Sequence, residues 1–358
     1  MDNYKFPPEP FRYLRLLALL ATWLFWFQSS AQVNEPGSDI WNAEYHRQFD
    51  FWVGEWDVNL RIQQESGVWE DKVQSTARIY QILDGKAILE LWNENKVGEG
   101  IKGYSLRYYN EDLEKWELWL NWPRKNQSAS SSLEGSFRHE RGEFFSEFPK
   151  NDSVTITQRY TFCDISPNSL RWDNAYSEDG GKTWKEGTWI MEFSRKEQRA
   201  PAFVHGQAVH TYDNGNRCDL AEFNFFDEWV GNWSGKLKVS MDEKWNHFRS
   251  NVEIYPILDG CAIMTFMRYI DNGNEIKSFS LSTYNTAANK YEEGVLDNLP
   301  NSNFKIRYGN LTRDVLTLVD DDELTKSVWR KNGNQLDWDF YHKVEGAWQH
   351  LKSASLSK

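Results

Sequence analysis

One strand-like segment in the first half of the chain combines a carboxylate with apolar and aromatic side chains. In Ala87-Ile88-Leu89-Glu90-Leu91-Trp92, the residues Ile88, Glu90 and Trp92 alternate, so a strand places them on one face. If that face looks into a closed sheet, Glu90 is a carboxylate in an apolar wall. Loss of hydration would then raise its pKa and suit it to proton transfer. The alternative is an outward face, on which Glu90 is one of many solvated charges.

Neighbouring strand-like segments supply further aromatic and charged side chains that could line the same interior. With Glu90, the predicted ligand-binding residues are Trp56, Trp92, Arg107, Trp119, Trp122, Arg159, Trp172 and Asp173. Trp side chains offer large apolar surfaces for small ligands. Glu90 and Asp173 are the two carboxylates available for acid/base work in this set. The second half of the chain has Thr265 and Met267 where the first has Glu90 and Trp92, so the first half is the better candidate for a pocket.

Motifs of several common enzyme classes are absent. The sequence contains no GxSxG, HExxH, P-loop or GxGxxG pattern, so serine hydrolase, zinc protease and nucleotide chemistry lack support. Cys163, Cys218 and Cys261 form no CxxC pair, and we predict neither a metal site nor a cofactor. We expect Cys163 and Cys261 to be buried thiols, and a disulfide that involves Cys218 stays open.

A short motif near the end of the first half, Ser177-x-Asp179-x-Gly181-x-Thr183-Trp184, is similar to the Asp-box of sialidase-type propellers. A single copy does not make a propeller. Its physical content is a hairpin in which the Asp side chain accepts hydrogen bonds from turn amides, Gly takes a positive φ, and Trp packs beneath. We therefore predict a structural role.

The elements that must position these residues occur twice. Phe49 to Trp56, with its Trp-Val-Gly-x-Trp core, returns at Phe226 to Trp233, and the run Ile79 to Gly85 returns as Ile254 to Gly260. A third match lies between residues 102–110 and 277–285. Since the offset stays close to 175 residues in all three, the chain contains two copies of one domain.

Each copy reads as about ten short strands with period-two alternation, separated by Asp-Gly, Asn-Asp and similar turns. Hairpin-connected strands in this number leave exposed edges unless the sheet closes. We predict an all-β fold of two tandem antiparallel β-barrels of about ten strands, with a short helix before each first strand. The expected divisions are a signal peptide over 1–31, a flexible lead over 32–40, barrel 1 over 41–197, a linker over 198–220 and barrel 2 over 221–358.

Composition and the N-terminus bear on location and partners. Arg12 and Arg15 precede a twelve-residue apolar run and a small-residue site ending at Ala31, which is typical of a cleaved secretory signal. An uncleaved anchor is the alternative. We expect a secreted or periplasmic protein with no membrane association after cleavage. The formal net charge of −12 argues against nucleic acid as a partner. The aromatic share of 16%, with 19 Trp, favours strands and stacking surfaces.

The repeated Phe-x-x-Trp-Val-Gly-x-Trp and Ile-x-x-Ile-Leu-Asp-Gly motifs resemble an uncharacterised family of bacterial secreted proteins with lipocalin-like (calycin-like) barrels. The resemblance spans residues 49–194 and 226–354 and implies a lipocalin-like fold for both halves. The same shape is similar to nitrobindin-type barrels, which bind haem through a His on a late strand. Here the late His residues are His342 and His350, both in the second half, so the first half lacks such a ligand.

Three functions follow from these observations. The first is a small apolar or aromatic ligand bound in the Trp-rich pocket of barrel 1 without covalent chemistry. The second is an isomerase, hydratase or lyase that uses Glu90 and Asp173. The third is a carbohydrate- or surface-binding module in which exposed Trp side chains stack on sugars. The sequence does not specify the ligand, the role of barrel 2 or the oligomeric state.

Overall fold

The computed structural model of the protein describes residues 44–93, 101–123, 131–196, 218, 221–241 and 244–358. The expected signal peptide and most of the expected linker lie outside these residues. Among the described residues, no helix is both long enough and apolar enough to cross a membrane.

The first half of the chain forms ten strands that close into an antiparallel barrel, here barrel 1. The strands are β1 Gly54–Gln63, β2 Trp69–Ile82, β3 Ala87–Trp92, β4 Gly103–Asn110, β5 Lys115–Asn121, β6 Ser131–Arg138, β7 Arg141–Asn151, β8 Val154–Cys163, β9 Ser169–Ser177 and β10 Lys185–Arg195. Each strand pairs with its neighbours in sequence, and β1 pairs with β10 to close the sheet. Closure removes the edges that open hairpins would leave.

The second half repeats this plan as barrel 2. Its strands are β11 Gly231–Met241, β12 Lys244–Ile257, β13 Ala262–Asp271, β14 Asn274–Asn285, β15 Lys290–Asp297, β16 Lys305–Thr312, β17 Val315–Asp320, β18 Thr325–Asn332, β19 Gln335–Val344 and β20 Ala347–Ser357. Here β11 pairs with β20. The predicted fold class, two closed ten-strand antiparallel barrels, is confirmed. The predicted short helices are 3-10 turns at Tyr45–Arg47, Asp50–Trp52 and Asp227–Trp229, and a single α-helical turn α1, Ala221–Asn224.

The Trp-Val-Gly-x-Trp motif closes one end of each barrel. In barrel 1 the Nε1 of Trp56 donates to the carbonyl oxygen of Trp52 at 2.7 Å, and in barrel 2 the Nε1 of Trp233 donates to that of Trp229 at 2.6 Å. The spacing of four residues thus folds the 3-10 turn back over the start of the first strand. The intervening glycine of barrel 1, Gly54, has φ +143°, and a Cβ there would lie 2.2 Å from the side chain of Arg195.

Arg195 fastens this closed end in barrel 1. Its guanidinium donates to the carbonyl oxygens of Val53 at 2.7 Å, Phe51 at 2.6 Å and Pro167 at 2.7 Å, and lies 4.0 Å from the ring centre of Trp56. Two of these charge-assisted bonds satisfy carbonyls at the 3-10 turn, and the third attaches the loop between β8 and β9 to the same guanidinium.

Alternation along the strands separates two hydrophobic clusters. Inward side chains of barrel 1, among them Trp56, Ile88, Trp116 and Phe162, form its own core. The outward side chains on β2, β3 and β4 belong to a second cluster that continues into barrel 2. From barrel 1 that cluster includes Tyr80, Ile82, Leu89, Leu91, Tyr104, Leu106 and Tyr108. The outer wall formed by these strands is therefore the surface on which barrel 2 packs.

Two ion pairs relate the barrels to each other in a reciprocal way. Lys102 of barrel 1 lies 3.2 Å from Asp259 of barrel 2, and Lys277 of barrel 2 lies 2.6 Å from Asp84 of barrel 1. Lys102 and Lys277 are equivalent in the repeat, as are Asp84 and Asp259. Such an exchange of partners is the signature of a two-fold related, self-complementary interface. The first pair is fully buried, whereas the second is partly exposed.

The Ile-Leu-Asp-Gly segments form the expected turns. Asp84 and Asp259 have φ of 60° and 56°, and the following Gly85 and Gly260 also have positive φ. Their role is wider than a turn, since the Asp side chains supply one half of each inter-barrel ion pair.

The cysteine prediction is partly wrong. Cys261 is joined to Cys218 in a disulfide, so it is not a free thiol. Cys218 also donates its backbone N–H to the carbonyl oxygen of Asp259. The bond attaches the end of the expected linker to barrel 2. Cys163 is free, and burial together with nearby Asp164 and Asp173 raises its pKa to about 11, so it is an inert thiol at neutral pH.

Candidate ligand-binding site

Glu90 points into barrel 1. Its strand neighbours on the same face, Ile88 and Trp92, belong to the inner core, while Leu89 and Leu91 belong to the outer cluster. Only 7% of Glu90 is exposed. The alternative in which Glu90 is a solvated surface charge is therefore wrong for this structure.

A hydrogen-bonded group surrounds the carboxylate. Glu90 on β3 is directly opposite Ser105 on β4, and Arg107 follows two residues later on the same face. Ser105 Oγ donates to Glu90 Oε2 at 2.6 Å, and Arg107 Nη1 donates to Ser105 Oγ at 2.6 Å and approaches Glu90 Oε2 at 3.5 Å. The other oxygen, Oε1, makes no hydrogen bond within the described residues. It is available to accept a bond from a ligand.

The aromatic floor of the barrel holds Arg107 in place. Its guanidinium carbon lies 3.7 Å from the ring centre of Trp52 and 5.5 Å from that of Phe49. Burial lowers the pKa of Arg107 to about 10, against the opposing effect of Glu90, so the guanidinium remains charged at neutral pH. Burial also raises the pKa of Glu90, although Arg107 and Ser105 act in the opposite direction.

The two ends of barrel 1 differ in how tightly their inward side chains are covered. At the end closed by the 3-10 turn, Phe49, Trp56, Trp116 and Phe144 are completely buried. At the opposite end, the inward side chains are mostly only partly buried, and we call this set the cup. The cup consists of Trp92, Leu120, Trp122, Tyr160, Trp189 and Met191, of which Trp92 is the most buried. Glu90 lies between the aromatic floor and the cup, because it is between Ile88 and Trp92 on β3.

Ring contacts shape the cup wall. Trp92 and Trp122 meet edge to face with centroids 6.4 Å apart, and Tyr160 meets Trp172 in the same way at 4.7 Å. Trp122 lies across Gly103, where a Cβ would be 2.3 Å from the indole. The absence of a side chain at Gly103 therefore decides where Trp122 can lie.

The predicted site residues fall into three groups. Glu90, Trp92, Arg107, Trp122 and Trp172 all face the barrel interior, next to or below the cup. Trp56 is also inward but belongs to the closed end.

The remaining three, Trp119, Arg159 and Asp173, lie on the outer face of the wall. Trp119 packs against Phe304 of barrel 2 with ring centres 5.4 Å apart, and Arg159 lies 4.6 Å from the ring centre of Trp184. Asp173 lies beside Cys163, with Oδ2 and Sγ 4.0 Å apart. Strand alternation is the reason, because these residues are one position out of phase with their inward neighbours.

Sequence reasoning missed a second buried ion pair, in barrel 2. Glu293 on β15 is directly opposite Arg307 on β16, with Oε2 and Nη1 3.7 Å apart, and both are almost completely buried. In the repeat, Leu118 of the first half is equivalent to Glu293 of the second. A search for charged residues that occur only in the second half could therefore have found this ion pair. Each barrel thus contains a buried Glu–Arg pair, at non-equivalent positions.

The Asp-box hairpin has the predicted geometry. Asp179 Oδ1 accepts from the backbone N–H of Lys182 at 3.0 Å and of Thr183 at 2.9 Å, and Ser177 Oγ donates to the same oxygen at 2.7 Å. Trp184 Nε1 donates to the carbonyl oxygen of Gly181. The hairpin predicted for this motif is therefore present.

Within the described residues, no cluster of three or more His, Cys, Asp or Glu side chains is arranged to hold a metal ion. His350 Nε2 lies 2.9 Å from Asp339 Oδ1, and its ring stacks on Tyr341 with centroids 4.7 Å apart. These contacts account for one of the two late histidines.

Comparisons with known proteins give distant structural neighbours only. No protein-family profile matches the chain, and no curated protein matches it. Rv2717c from M. tuberculosis aligns with 39% of this chain and 99% of its own length, at 13% identity and a TM-score of 0.29. The S-type phycobiliprotein lyase CPES from Guillardia theta aligns with 42% of this chain and 90% of its own, at 18% identity and a TM-score of 0.28.

A third neighbour spans both halves. The protein of unknown function from the DUF3598 family of Nostoc punctiforme covers 88% of this chain and 99% of its own, at 10% identity and a TM-score of 0.21.

Proposed function

We propose that barrel 1 binds a small apolar or aromatic ligand in the cup, without covalent chemistry. The observation that carries the proposal is the difference between the two ends of the barrel. Inward aromatic side chains are completely buried at the closed end and partly exposed at the other. Apolar side chains that face inward and still contact solvent are typical of a ligand cavity rather than of a packed core.

The composition of the cup indicates the chemistry of the ligand. Trp122, Trp189 and Tyr160 provide stacking surfaces, and Met191 adapts to irregular shapes. Below them, Glu90 offers a hydrogen-bond acceptor through Oε1. A ligand with an aromatic body and a single hydroxyl or amino group would match both features.

Acid/base catalysis is the second candidate, and its support is Glu90 alone. The raised pKa of Glu90 would suit proton transfer. Its expected partner Asp173 lies on the outer face of the wall, so the two carboxylates do not share a site. Binding without chemistry needs no second group and is therefore the better account.

We also propose that the protein is exported. Disulfides such as Cys218–Cys261 form and persist in oxidising compartments, which agrees with the secretory signal expected at the N-terminus.

A fluorescent probe tests the cup directly. N-phenylnaphthylamine is a neutral aromatic amine whose emission rises in apolar surroundings, and we expect it to bind the full chain. Because Trp122 is half-buried and lies in the cup wall, Trp122→Ala should weaken binding at least about tenfold, or ~1.4 kcal/mol. The measurement is a fluorescence titration of both proteins at equal concentration.

Trp245→Ala is the matched control, since Trp245 is an exposed tryptophan on barrel 2. It should bind the dye as the unmodified protein does. Equal loss in both variants, or no dye binding by the unmodified protein, would contradict the proposal. If a reaction on any bound compound is found and survives Glu90→Gln, the acid/base candidate fails.

A further inference from the structure

Barrel 2 contains a cavity of its own, on the inner side of the wall. Its volume is about 80 Å³. Cavity-volume conventions give roughly 10–15 Å³ of such space per water, so this cavity would hold a ligand of about five to eight non-hydrogen atoms. Charged side chains that line it are Glu293, Asp297, Arg307 and Lys352.

The two cations have donor capacity that the protein does not use. Arg307 is 6% exposed, donates from Nε to Thr325 Oγ1 at 2.9 Å, and places Nη1 3.7 Å from Glu293 Oε2. Its Nη2 makes no hydrogen bond to any described residue. Lys352 makes neither a hydrogen bond nor an ion pair with the described part of the chain, and its ammonium lies 5.9 Å from the ring centre of Phe340. Arg307 is mostly buried and Lys352 is half-buried, and donors that line a cavity in this state can bind an acceptor group that enters it.

The two acidic side chains of the cavity do not use these donors of Arg307 and Lys352. Glu293 is already engaged, since Trp329 Nε1 donates to its Oε1 at 3.1 Å and Arg307 lies beside its Oε2. Asp297, on the same strand as Glu293, is half-buried and forms no ion pair with Arg307 or Lys352 within 4.0 Å among the described residues.

Hydroxyl groups and an apolar patch complete the lining. Thr265, Ser278 and Ser280 each present a hydroxyl that makes no hydrogen bond to a described residue. Met267 and Phe340 supply apolar surface in the same cavity. The cavity therefore combines two cationic donors and three neutral hydroxyls with a small apolar area.

We propose that barrel 2 binds a small carboxylate in this cavity, with the carboxylate group between Arg307 and Lys352 and a short apolar tail against Met267 and Phe340. A carboxylate accepts several hydrogen bonds at once and matches a guanidinium better than a neutral group does.

Divergence between the two repeats supports two different ligands. Thr265 and Ser280 occupy the positions of Glu90 and Ser105, so barrel 2 has lost the acceptor of barrel 1. Arg307 occupies an inward position on β16, opposite Glu293. The inference does not depend on the cup of barrel 1, because the two sites share no residue.

The test uses butyrate, whose size fits the cavity, against the full chain, with butyramide as a neutral analogue of the same shape. Met267 gives a local signal: with ¹³C-methyl methionine, its NMR resonance should shift on titration with butyrate, while that of Met264, on the opposite face of the same strand, should not. Butyramide should bind at least about tenfold more weakly. The Met267 resonance is assigned through Met267→Leu.

Lys352→Met is the decisive variant, since Lys352 makes no hydrogen bond or ion pair with the described residues that the change would break. It should weaken butyrate binding at least about tenfold, whereas Lys326→Met, on the adjacent outward-facing surface near Tyr341 and Trp348, should leave it unchanged. Equal binding of butyrate and butyramide, unaltered affinity in Lys352→Met, or a Met267 signal that never moves would overturn the proposal. Barrel 1 dye binding is measured in parallel, so failure of one site is distinguishable from failure of the other.

Discussion

At the scale of single residues, burial disfavours the charged form of two glutamates, and in each case a neighbouring arginine partly compensates. Glu90 and Glu293 are both taken out of water and each lies beside an arginine, Arg107 or Arg307. Burial is the main cause of the raised pKa in both, and the arginine is the largest opposing influence. Breaking one such pair costs roughly 3–5 kcal/mol, because it leaves an uncompensated buried charge.

The raised pKa of Glu90 predicts how stability depends on pH. The folded state holds the Glu90 proton more tightly than the unfolded chain, in which the pKa is 4.5. This contribution is fully present below that value and is lost as pH rises through the folded pKa. Glu90→Gln removes the titration, so in the pH window that begins at about 4.5 the free energy of unfolding should fall less steeply with rising pH for the variant than for the unmodified protein.

Urea unfolding at several pH values in that window measures the two slopes. Glu147→Gln, an exposed glutamate on barrel 1, is the control and should follow the unmodified protein. Parallel curves for Glu90→Gln and the unmodified protein would show that Glu90 titrates normally.

At the scale of elements, the cup depends on how β4 and the end of β5 fit together. Gly103 begins β4, and the indole of Trp122 occupies the space above it. Barrel 2 has Ser278 and Asp297 at these two positions. In neither barrel, therefore, does a residue with a Cβ at the first of these positions occur together with a tryptophan at the second.

Gly103→Ala should displace Trp122, since the new Cβ would lie 2.3 Å from the indole. We expect a loss of ~1–3 kcal/mol in the free energy of unfolding, as for other overpacked sites, together with weaker dye binding. Ser278→Ala, at the equivalent position of barrel 2, should change neither. Urea unfolding and dye titration of the two variants check this, and unchanged dye affinity in Gly103→Ala would show that Trp122 does not shape the site.

At the scale of the whole molecule, the barrels pack through equivalent outer walls. The reciprocal pairs Lys102–Asp259 and Lys277–Asp84 mean that each barrel contributes one copy of the same complementary surface. Barrel 1 alone therefore carries both halves of the interface, Asp84 and Lys102. In a two-fold dimer of barrel 1, Asp84 of each copy would pair with Lys102 of the other copy.

A polypeptide of residues 41–197 should accordingly fold, because its core closes on itself, and should then self-associate through β2, β3 and β4. Sedimentation velocity should show a dimer. Lys102→Glu should shift it toward monomer, since it would place two acids together, and Asp84→Lys combined with Lys102→Glu should restore the dimer by reversing both charges. A monomer with no tendency to associate, or a failure of the double variant to recover, would contradict the two-fold interpretation.

The sequence predicts much of this architecture because the relevant signals are local. Period-two alternation, as in Trp56 to Ile62, needs only the strand's own geometry, and Asp84-Gly85 forms its turn through its own backbone. The repeat supplied the second barrel, since Phe226 to Trp233 restates Phe49 to Trp56. Ten strands connected by hairpins would form an open sheet with two unpaired edge strands, and closure into a barrel removes these edges.

The site is less predictable, because it depends on which face of each strand closure turns inward. Alternation places Trp119 and Trp122 on opposite faces, yet it does not say which is inside. The structure turns Trp122 into the cup and Trp119 toward Phe304 of barrel 2. The same phase decides that Glu90 is inside and Asp173 outside.

The sequence by itself determined the strands, the turns, the two copies and their closed all-β form, because these follow from neighbours along the chain. Only the tertiary structure decided the Glu293–Arg307 pair, the Cys218–Cys261 disulfide and the Lys102–Asp259 contact between barrels. Each of these joins residues that are distant in sequence, and their proximity is set by the closing of a sheet or the packing of one barrel on the other.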